Sequence, residues 1–411
     1  MKFPRVLAMV LAGGEGKRLH PLTAERSKPA VPFAGRYRVV DFVLSNLVNS
    51  GIQAIYLLVQ YKSQSLIEHV DRAWVFSPIL PDQFVTVVPA QMREGPEWYQ
   101  GTADAVYQNL NLIERHAPEL VAVFGADHIY RMDIRQMVDF HKQSGAHATV
   151  AAIPFPVAQA SHFGVIETEG AGRITGFQEK PTDPRPMPGN PKQALCSMGN
   201  YLFDRDVLVN ALKEARERGD SDFGHHVLPN LLHSHRLFAY NFRENLVPGV
   251  REYEEASYFR DIGSLDAYFA ANQDLLGNEP RFNLFNPRWP IYSSAYQGPG
   301  LRVLQGDLGQ SLIGAGTLVK GGRIRKSVIR QEAVIGDGAE LDECVIMDHC
   351  VIREGTRLRR VIVDQSNVLD PGTTIGFDPE ADRRDYHVTE GGITVVPQGR
   401  NGRPSESYFQ P

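Results

Sequence analysis

The sequence predicts a protein of two dissimilar parts: an α/β part built on a mostly parallel sheet, then a parallel β-helix. In residues 1–276, short apolar runs alternate with helical segments, a pattern typical of parallel strands joined by helices. From residue 310 onward, aliphatic residues instead recur in steps of six, six and five. Three flat faces per turn of a stacked coil produce this period, whereas no helix or simple hairpin does.

The apolar runs and helical spacings of the first part assign its elements. Strands are predicted at 6–11, 55–59, 84–88, 120–124, 147–153, 164–166, 174–177 and 198–203. Helices are predicted at 41–50, 63–69, 133–144, 206–218 and 265–276. A further helix is expected to be capped by Thr102 and to carry Val106, Leu110 and Ile113 on one face. Functional residues of such sheets lie at the carboxyl ends of the strands.

The change of period divides the 411 residues into three regions. Residues 1–276 form the predicted α/β domain, residues 277–300 are rich in Pro and Asn and suggest a linker, and residues 301–411 hold the β-helix and a polar C-terminal cap. Four coils of seventeen residues fit between Gln310 and Gly376. Their inward positions are predicted at Leu312, Leu318, Ile324, Ile329, Ile335, Leu341, Ile346, Ile352, Leu358, Val363, Leu369 and Ile375.

Composition restricts the class of protein. With 42% hydrophobic and 22% charged residues, the chain has an ordinary globular balance, and its net charge of −5 argues against nucleic acid as a partner. No apolar run reaches the roughly 18 residues of a membrane helix. The run after Lys2 and Arg5 is too short for a signal peptide, so a cytoplasmic protein is expected. The cysteines have no metal or disulfide spacing and are predicted to be buried thiols: Cys196, Cys344 and Cys350.

A glycine-rich loop follows the first predicted strand. The apolar run ends at Gly13-Gly14-Glu15-Gly16, and the cations Lys17, Arg18 and Lys28 follow. Glycines allow the backbone to approach a ligand closely, and free amides beside cations can bind a polyphosphate. A tight turn with a solvated Lys-Arg pair would have the same local sequence.

Two carboxylates are candidates for a magnesium site. Asp127 follows the buried strand 120–124, and Asp261 lies in a turn between aromatic and apolar residues. Mg²⁺ prefers oxygen ligands, and two carboxylates from distant segments could meet at one sheet edge. Each residue is also suited to cap the helix that follows it.

Seven sequence blocks, in order, resemble one enzyme family. They are L-A-G-G-E-G-K-R-L from Leu11 with K-P-A-V-P-F from Lys28, W-Y-Q-G-T-A-D-A-V from Trp98, G-A-D-H-I-Y from Gly125, E-K-P from Glu179, S-M-G-N-Y from Ser197, F-R-D-I-G-S from Phe259, and the hexapeptide-type coils. Together they resemble the nucleoside-diphosphosugar pyrophosphorylases, and among these the bacterial glucose-1-phosphate adenylyltransferase (ADP-glucose pyrophosphorylase) family. The resemblance covers Val6 to Gly376.

This resemblance implies a fold, a reaction and partners. The fold would be a Rossmann-like nucleotidyltransferase domain followed by a left-handed parallel β-helix. The reaction would be the Mg²⁺-dependent transfer of an adenylyl group from ATP to glucose 1-phosphate, which gives ADP-glucose and pyrophosphate in the committed step of glycogen synthesis. The family is typically homotetrameric and regulated by anionic metabolites.

The resemblance also implies roles for individual residues. Catalytic roles fall to Arg18, Lys28 and Asp127, and Mg²⁺ ligation to Asp127 and Asp261. Nucleotide binding is implied for Leu11, Gly13, Gly14, Gly16, Gln91, Tyr99, Gly101 and Thr102. Sugar-phosphate binding is implied for Glu179, Lys180, Ser197, Gly199, Tyr201, Asp222 and Phe223. Taken alone, Glu179-Lys180 would be a surface pair, and Trp98 and Tyr99 would equally suit core packing. The choice of adenine rests on the family resemblance.

An effector site is a further expectation, and here the sequence departs from the family. Enteric members carry a lysine for a bisphosphate activator where this chain has Glu25, which would repel that anion. They also have Lys-Asp where this chain has His225-His226, and Trp where it has Phe259. We expect an anion site between the two parts, binding sugar monophosphates or pyruvate-type metabolites, at Arg26, Arg36, Arg38 and Arg353. Solvated arginines on the β-helix are the alternative.

Three other functions compete with this interpretation. A pyrophosphorylase for another nucleotide or sugar would share most of the blocks. A β-helix alone suggests a hexapeptide-type acyltransferase, but His349, the one histidine in the coils, has no supporting pattern around it. Related chains also serve as non-catalytic regulatory subunits. The presence of Arg18, Lys28, Asp127, Lys180 and Asp261 argues against that last reading.

Overall fold

The computed structural model describes residues 3–76, 80, 82–93, 95, 97–399 and 406–409. Glu94 and Pro96 of the predicted loop before Thr102 lie outside the described residues, as do positions 400–405 and 410–411 of the predicted C-terminal cap. Within the described part, each helix is too short or too polar to cross a lipid bilayer.

The strands of the first part number thirteen among the described residues. They are β1 (Val6–Leu11), β2 (Pro32–Phe33), β3 (Tyr37–Arg38), β4 (Ala54–Val59), β5 (Phe84–Pro89), β6 (Leu120–Gly125), β7 (His128–Tyr130), β8 (Ala148–Pro156), β9 (Gly164–Glu169), β10 (Arg173–Glu179), β11 (Gln193–Asp204), β12 (Leu237–Asn241) and β13 (Phe259–Asp261). Sequence patterns missed β12, and they gave only the second half of β11.

The helices follow the predicted positions closely. They are α1 (Val40–Asn49), α2 (Gln64–Ala73), α3 (Thr102–Tyr107), α4 (Leu110–His116), α5 (Ile134–Ser144), α6 (Val157–Ala160), α7 (Arg205–Arg218), α8 (Leu228–Leu231), α9 (Leu265–Gln273) and, near the C-terminus, α10 (Pro379–Asp385). Short 3-10 turns occupy Lys17–Leu19, Lys28–Ala30, Phe242–Glu244 and Glu406–Phe409, and a π-helical turn occupies Phe223–Val227. The single helix expected from Thr102 is two helices, and the prediction that Thr102 caps it is wrong: Gly101 is the N-cap residue, and the Thr102 hydroxyl donates to Asp222 instead.

A nine-stranded sheet forms the centre of this part, in the order β5-β4-β1-β6-β11-β8-β12-β10-β9. The first four strands are parallel, as predicted, whereas the second half is mixed and only β8 and β12 pair in parallel there. Alternate residues of β1 enter two apolar layers: Leu7 and Met9 pack with α3, α4 and α7, and Ala8 and Val10 with α1, α2 and α5. Burial on both faces explains why β1 is apolar throughout.

The second part is a β-helix with three faces of parallel strands. Its strands are β14 (Arg302–Val303), β15 (Asp307–Gly309), β16 (Leu312–Ile313), β17 (Leu318–Val319), β18 (Arg323–Arg325), β19 (Val328–Ile329), β20 (Val334–Ile335), β21 (Glu340–Asp342), β22 (Val345–Ile346), β23 (Val351–Ile352), β24 (Arg357–Arg359), β25 (Val361–Val363), β26 (Val368–Leu369), β27 (Thr374–Ile375), β28 (His387–Val388) and β29 (Thr394–Val396). The faces are β14-β17-β20-β23-β26, β15-β18-β21-β24-β27 and β16-β19-β22-β25-β29-β28, consistent with the left-handed β-helix predicted.

The register confirms the seventeen-residue period and corrects its start. Ile329 stacks on Ile346, and Ile346 on Val363, in successive coils. The first coil is one residue shorter, so Ile313 pairs with Ile329. The inward positions predicted at Leu312 and Leu318 are therefore wrong, and Ile313 and Val319 pack in the β-helix core instead. The sequence also missed the strand β29, which extends the third face beyond the polar stretch.

The two parts share a hydrophobic core. The outer side of the third face, at Val328, Val345 and Ile362, packs against Phe33 and Phe42 of the first part. The region predicted as a linker contains no described helix or strand, yet it is well packed, with Phe282, Trp289 and Ile291 buried. The chain between Leu19 and Phe42 is thereby enclosed between α9 and the β-helix.

Candidate active site

A cavity of about 510 Å³ opens at the carboxyl ends of β1 and β6. Most of the residues that the sequence singled out line it. These are Leu11, Gly13, Gly14, Arg18, Lys28, Tyr99, Gly101, Thr102, Asp127, Glu179, Lys180, Ser197, Gly199, Tyr201, Asp222 and Asp261. Residues from separate strands and loops thus form one chemical site.

The glycine-rich loop forms one wall of the cavity. Gly13, Gly14 and Arg18 line it, whereas Lys17 is 79% exposed and pairs with Glu15. Gly16 lies behind the wall, with φ +69°, and a Cβ atom there would come within 2.9 Å of the Lys28 Cβ. Glycine is required at this position because of both its left-handed backbone and this close approach. The structure therefore gives Gly16 a role in holding Lys28 against the loop.

Two carboxylates and a lysine converge on the floor of the cavity. Asp127 follows β6 directly, and Asp261 ends β13, which forms an antiparallel ribbon with β7 that pairs Asp261 with His128. The Lys28 ammonium donates to Asp127 Oδ2 at 2.7 Å and to Asp261 Oδ1 at 2.9 Å. The sequence predicted Lys28 near phosphates, and the structure places its ammonium between the carboxylates.

The charges of this group perturb one another. Burial alone would lower the pKa of the Lys28 ammonium, but Asp127 and Asp261 outweigh it and raise that pKa above its usual value. Burial would likewise raise the pKa of Asp127, yet His128 and Lys28 hold it well below its usual range. Both the ammonium and this carboxylate are therefore charged at neutral pH.

The carboxylates fit a divalent cation. One oxygen of Asp127, one of Asp261 and a ring nitrogen of His128 all lie within 4.8 Å of one another. Neither carboxylate is a helix cap, because Asp133 caps α5 and Ser264 caps α9. Carboxylate oxygens suit Mg²⁺. The two carboxylates are close enough that one positive group, the Lys28 ammonium, contacts both.

Glu179 and Lys180 form the opposite wall. The Lys180 ammonium lies 2.9 Å from Glu179 Oε1. The glutamate fits between two glycines: a Cβ atom would lie 2.9 Å from Glu179 Oε2 at Gly164 and 2.3 Å from it at Gly224. These glycines leave just enough room for the carboxylate, which in turn orients Lys180 at the cavity.

Asp222 connects the two walls. Its Oδ1 accepts hydrogen bonds from the amides of Gly224 and His225, and its Oδ2 accepts one from the Thr102 hydroxyl at 2.9 Å. Phe223, predicted to contact the sugar, is instead in the core, with its ring 5.6 Å from that of Tyr201. The prediction of a direct contact is wrong for Phe223, because Asp222 turns the chain so that Phe223 faces inward.

A bulge in β11 exposes the next predicted group. The pairing of β11 with β8 is interrupted between Ser197 and Tyr201, where Gly199 adopts φ +69°. The Gly199 amide donates to the Ser197 hydroxyl at 3.2 Å. This irregularity turns Ser197, Gly199 and Tyr201 toward the cavity together.

Other cavity residues were missed, and one predicted residue lies elsewhere. Gln60 both donates to the Tyr99 carbonyl and accepts from the Tyr99 amide, and so holds that loop. Gln91 does not line the cavity; its amide oxygen accepts from the exposed Arg93. Trp98 is 52% exposed, which rules out core packing. Gln60 could have been identified from the sequence, because it directly follows β4 and so lies at the carboxyl end of a strand.

His128 is the most informative of the missed residues. It lines the cavity, and its Nε2 lies 3.3 Å from Asp127 Oδ1. Its ring packs against Phe259, with centroids 4.8 Å apart. The G-A-D-H block contained this residue, but no spacing rule distinguishes a histidine beside a site from one that packs in the core.

A second cavity, of about 640 Å³, lies between the two parts. Four arginines line it: Arg36, Arg38 and Arg72 from the first part, and Arg330, which directly follows β19. Burial and the charges of Arg330 and Arg26 lower the pKa of Arg38 to about 10. Acidic groups line it too: Asp348 pairs with Arg330 at 2.9 Å, and Glu332 with His349 at 2.9 Å. For the residues described, Arg36, Arg38 and Arg72 have no carboxylate partner at salt-bridge distance.

The other two predicted effector residues are not part of this cavity. Arg26 is 4% exposed, and its guanidinium contacts both oxygens of Asp364, at 2.5 and 2.6 Å. Arg353 lies near Glu354 and Asp370 on the β-helix, each at 3.7 Å. The prediction of one site with all four arginines is therefore wrong, because Arg26 joins the two parts through a buried ion pair and Arg353 is on another surface.

Comparison with known proteins identifies the family. The model of the nucleotidyl transferase family matches residues 7–278, and that of the GlmU-like C-terminal hexapeptide family matches residues 302–396. A glucose-1-phosphate adenylyltransferase of Thermodesulfovibrio yellowstonii is 54% identical over 96% of both chains. The chain belongs to the glucose-1-phosphate adenylyltransferase family. Other members are those of Anaeromyxobacter sp. strain Fw109-5, 47% identical over 97% of this chain and 100% of its own, and of Thermus thermophilus, 47% identical over 96% and 98%.

Proposed function

We propose that the protein transfers the adenylyl group of ATP to glucose 1-phosphate, giving ADP-glucose and pyrophosphate. One observation carries the proposal. A single cavity contains the glycine-rich loop, two carboxylates bridged by the Lys28 ammonium, and a separate lysine, Lys180, on the opposite wall. A sugar-phosphate oxygen attacks the α-phosphorus of the triphosphate, and pyrophosphate leaves. Because both reactants are anions, the protein must mainly position them and neutralise charge.

The two walls divide the substrates between them. The amides of Gly13 and Gly14 and the guanidinium of Arg18 hold the triphosphate and stabilise the pyrophosphate as it leaves. Lys180 binds the phosphate of the sugar, and Glu179 accepts hydrogen bonds from its hydroxyls. The hydrogen bond between Thr102 and Asp222 connects the two walls.

Asp127 and Asp261 would hold Mg²⁺ between the two substrates. The ion, when bound, supplies positive charge to the phosphate oxygens around the reacting centre. Adenine and glucose as substrates are supported by the names of relatives that align with the chain over almost its whole length.

A triphosphate panel tests this function. Purified protein with Mg²⁺ and glucose 1-phosphate should release pyrophosphate much faster from ATP than from UTP, dTTP, CTP or GTP. The variant Asp127→Asn should remain folded by circular dichroism and lower kcat by about two orders of magnitude or more, because it removes charge from the cation site. A preference for UTP or dTTP would contradict the substrate assignment, and near-normal turnover of the variant would contradict the role of Asp127.

The fit of Glu179 against Gly224 gives a second prediction. In Gly224→Ala the new methyl group must displace the glutamate carboxylate, while the π-helical turn itself tolerates alanine. Loss of about one good hydrogen bond should raise KM for glucose 1-phosphate about tenfold, with KM for ATP changed less than about twofold. Initial-rate kinetics measure both. Gly300→Ala, at a position with no neighbouring atom within 4 Å, is the control, and an equal rise in both KM values would refute the positioning role.

We further propose that the second cavity binds an anionic metabolite that regulates the enzyme. Its support is the three arginines without carboxylate partners among the described residues and the depressed pKa of Arg38, which an anion would relieve. Glu25, whose charge would repel a bisphosphate, is exposed and does not line this cavity.

Titration of the reaction rate with fructose 6-phosphate and with pyruvate tests the regulatory site. We expect at least one to activate, and Arg36→Gln to reduce that activation because it removes a cation of the cavity. Arg353→Gln is the matched control, since this arginine lies outside the cavity. A flat response to both metabolites, or equal loss of activation in the two variants, would contradict the site.

We also propose that the protein is a homotetramer. The first coil of the β-helix leaves Leu301, Val303, Leu304 and Leu308 between 37% and 43% exposed, at strands with a neighbour on one side only. Such an apolar end is suited to contact another subunit. Light scattering should give four times the 45.8 kDa of one chain, and the mass of a single chain would contradict the assembly.

A further inference from the structure

Lys28 connects two functional groups that the proposed reaction uses separately. Its Cβ packs against the phosphate loop, at the position where Gly16 has no side chain. Its ammonium, four bonds from Cβ, lies 2.7 Å from Asp127 and 2.9 Å from Asp261. The lysine side chain is 10% exposed, whereas those of Asp127 and Asp261 are 37% and 21% exposed toward the cavity.

We propose that Lys28 is a built-in counter-ion that occupies the cation site of the free enzyme and must leave it when the divalent cation binds. This inference rests on the proposed metal role of Asp127 and Asp261. Lys28 thereby makes the site a poor one for a free cation, and it couples entry of the cation to entry of the nucleotide.

The charges of these three side chains require this exchange. Two carboxylates a few ångströms apart repel each other, and one ammonium between them neutralises half of their charge. A divalent cation on the same oxygens would lie beside that ammonium and be repelled by it. Both oxygens that the ammonium contacts belong to the residues that could ligate the cation, so the two cannot share them fully.

The geometry also provides a second position for the ammonium. Lys28 begins a 3-10 turn with Pro29 next, which restricts the backbone, so the exchange involves the side chain alone. The anchored Cβ lies beside Gly16 and Thr23, at the base of the loop whose amides would bind the triphosphate. When a triphosphate is present, its oxygens replace the carboxylates as partners of the ammonium. Without it, displacement leaves the ammonium with no anion.

Binding of Mn²⁺ without nucleotide, followed by electron paramagnetic resonance on the full-length protein, tests the proposal. The variants are Lys28→Met and Lys28→Gln, either of which suffices if the other does not fold. Each should bind Mn²⁺ at least tenfold more tightly than wild type. Lys180→Met is the matched control: it removes one positive charge from the same cavity without touching the carboxylates, and should change the affinity less than twofold.

The outcomes separate this proposal from the metal assignment. If Asp127→Asn combined with Lys28→Met binds Mn²⁺ as tightly as Lys28→Met does, the carboxylates do not form the cation site, and both ideas fail. If Mn²⁺ binding depends on Asp127 but is no tighter in the Lys28 variants, the counter-ion role alone fails. A crystal structure of wild type with Mn²⁺ adds a measurement independent of variants: the ammonium should have left both carboxylates, and its retention on both would overturn the proposal.

Discussion

The site depends on one electrostatic constraint: two carboxylates meet where a cation must compensate them. Asp127 follows the end of β6, and Asp261 lies on β13, which forms a two-stranded ribbon with β7. Without a cation between them, these two carboxylates would repel each other strongly in a partly enclosed cavity. The Lys28 ammonium supplies compensating charge between them. These three side chains therefore hold three segments together: the phosphate loop, the ribbon of β7 and β13, and the 3-10 turn at Lys28.

The β-helix contributes to this arrangement from a distance. Arg330, in the turn after β19, donates to the carbonyls of Phe33, Ala34 and Tyr37, and Arg26 reaches Asp364 in a buried ion pair. Both contacts act on the same stretch of chain that carries Lys28. The stretch is further enclosed by the hydrophobic core shared by the two parts. Arg330 and Arg38 line the second cavity, and Lys28 lines the first, so residues of both cavities lie on or contact this one stretch.

Close packing explains why so many glycines surround the cavity. Gly16 makes room for Lys28, and Gly164 and Gly224 make room for Glu179. Each of these glycines lets the backbone approach a charged side chain closely, which limits the space open to that side chain. Orientation of this kind matters for a reaction between two anions, where the protein supplies position and charge more than chemical groups.

The sequence by itself determined the α/β part, the seventeen-residue coil and most of the cavity residues. The spacing of apolar residues and the order of the motifs are properties of the chain itself and need no tertiary contacts. Tertiary structure decided what local pattern cannot encode. Phe223 turned inward because Asp222 directs the chain, and Arg26 became an ion pair because Asp364, 338 residues away, faces it. The inward position at the end of the first coil moved from Leu312 to Ile313 because that coil is one residue shorter. Above all, the ammonium of Lys28 lies between the carboxylates rather than at a phosphate, since only folding brings Asp127 and Asp261 to it.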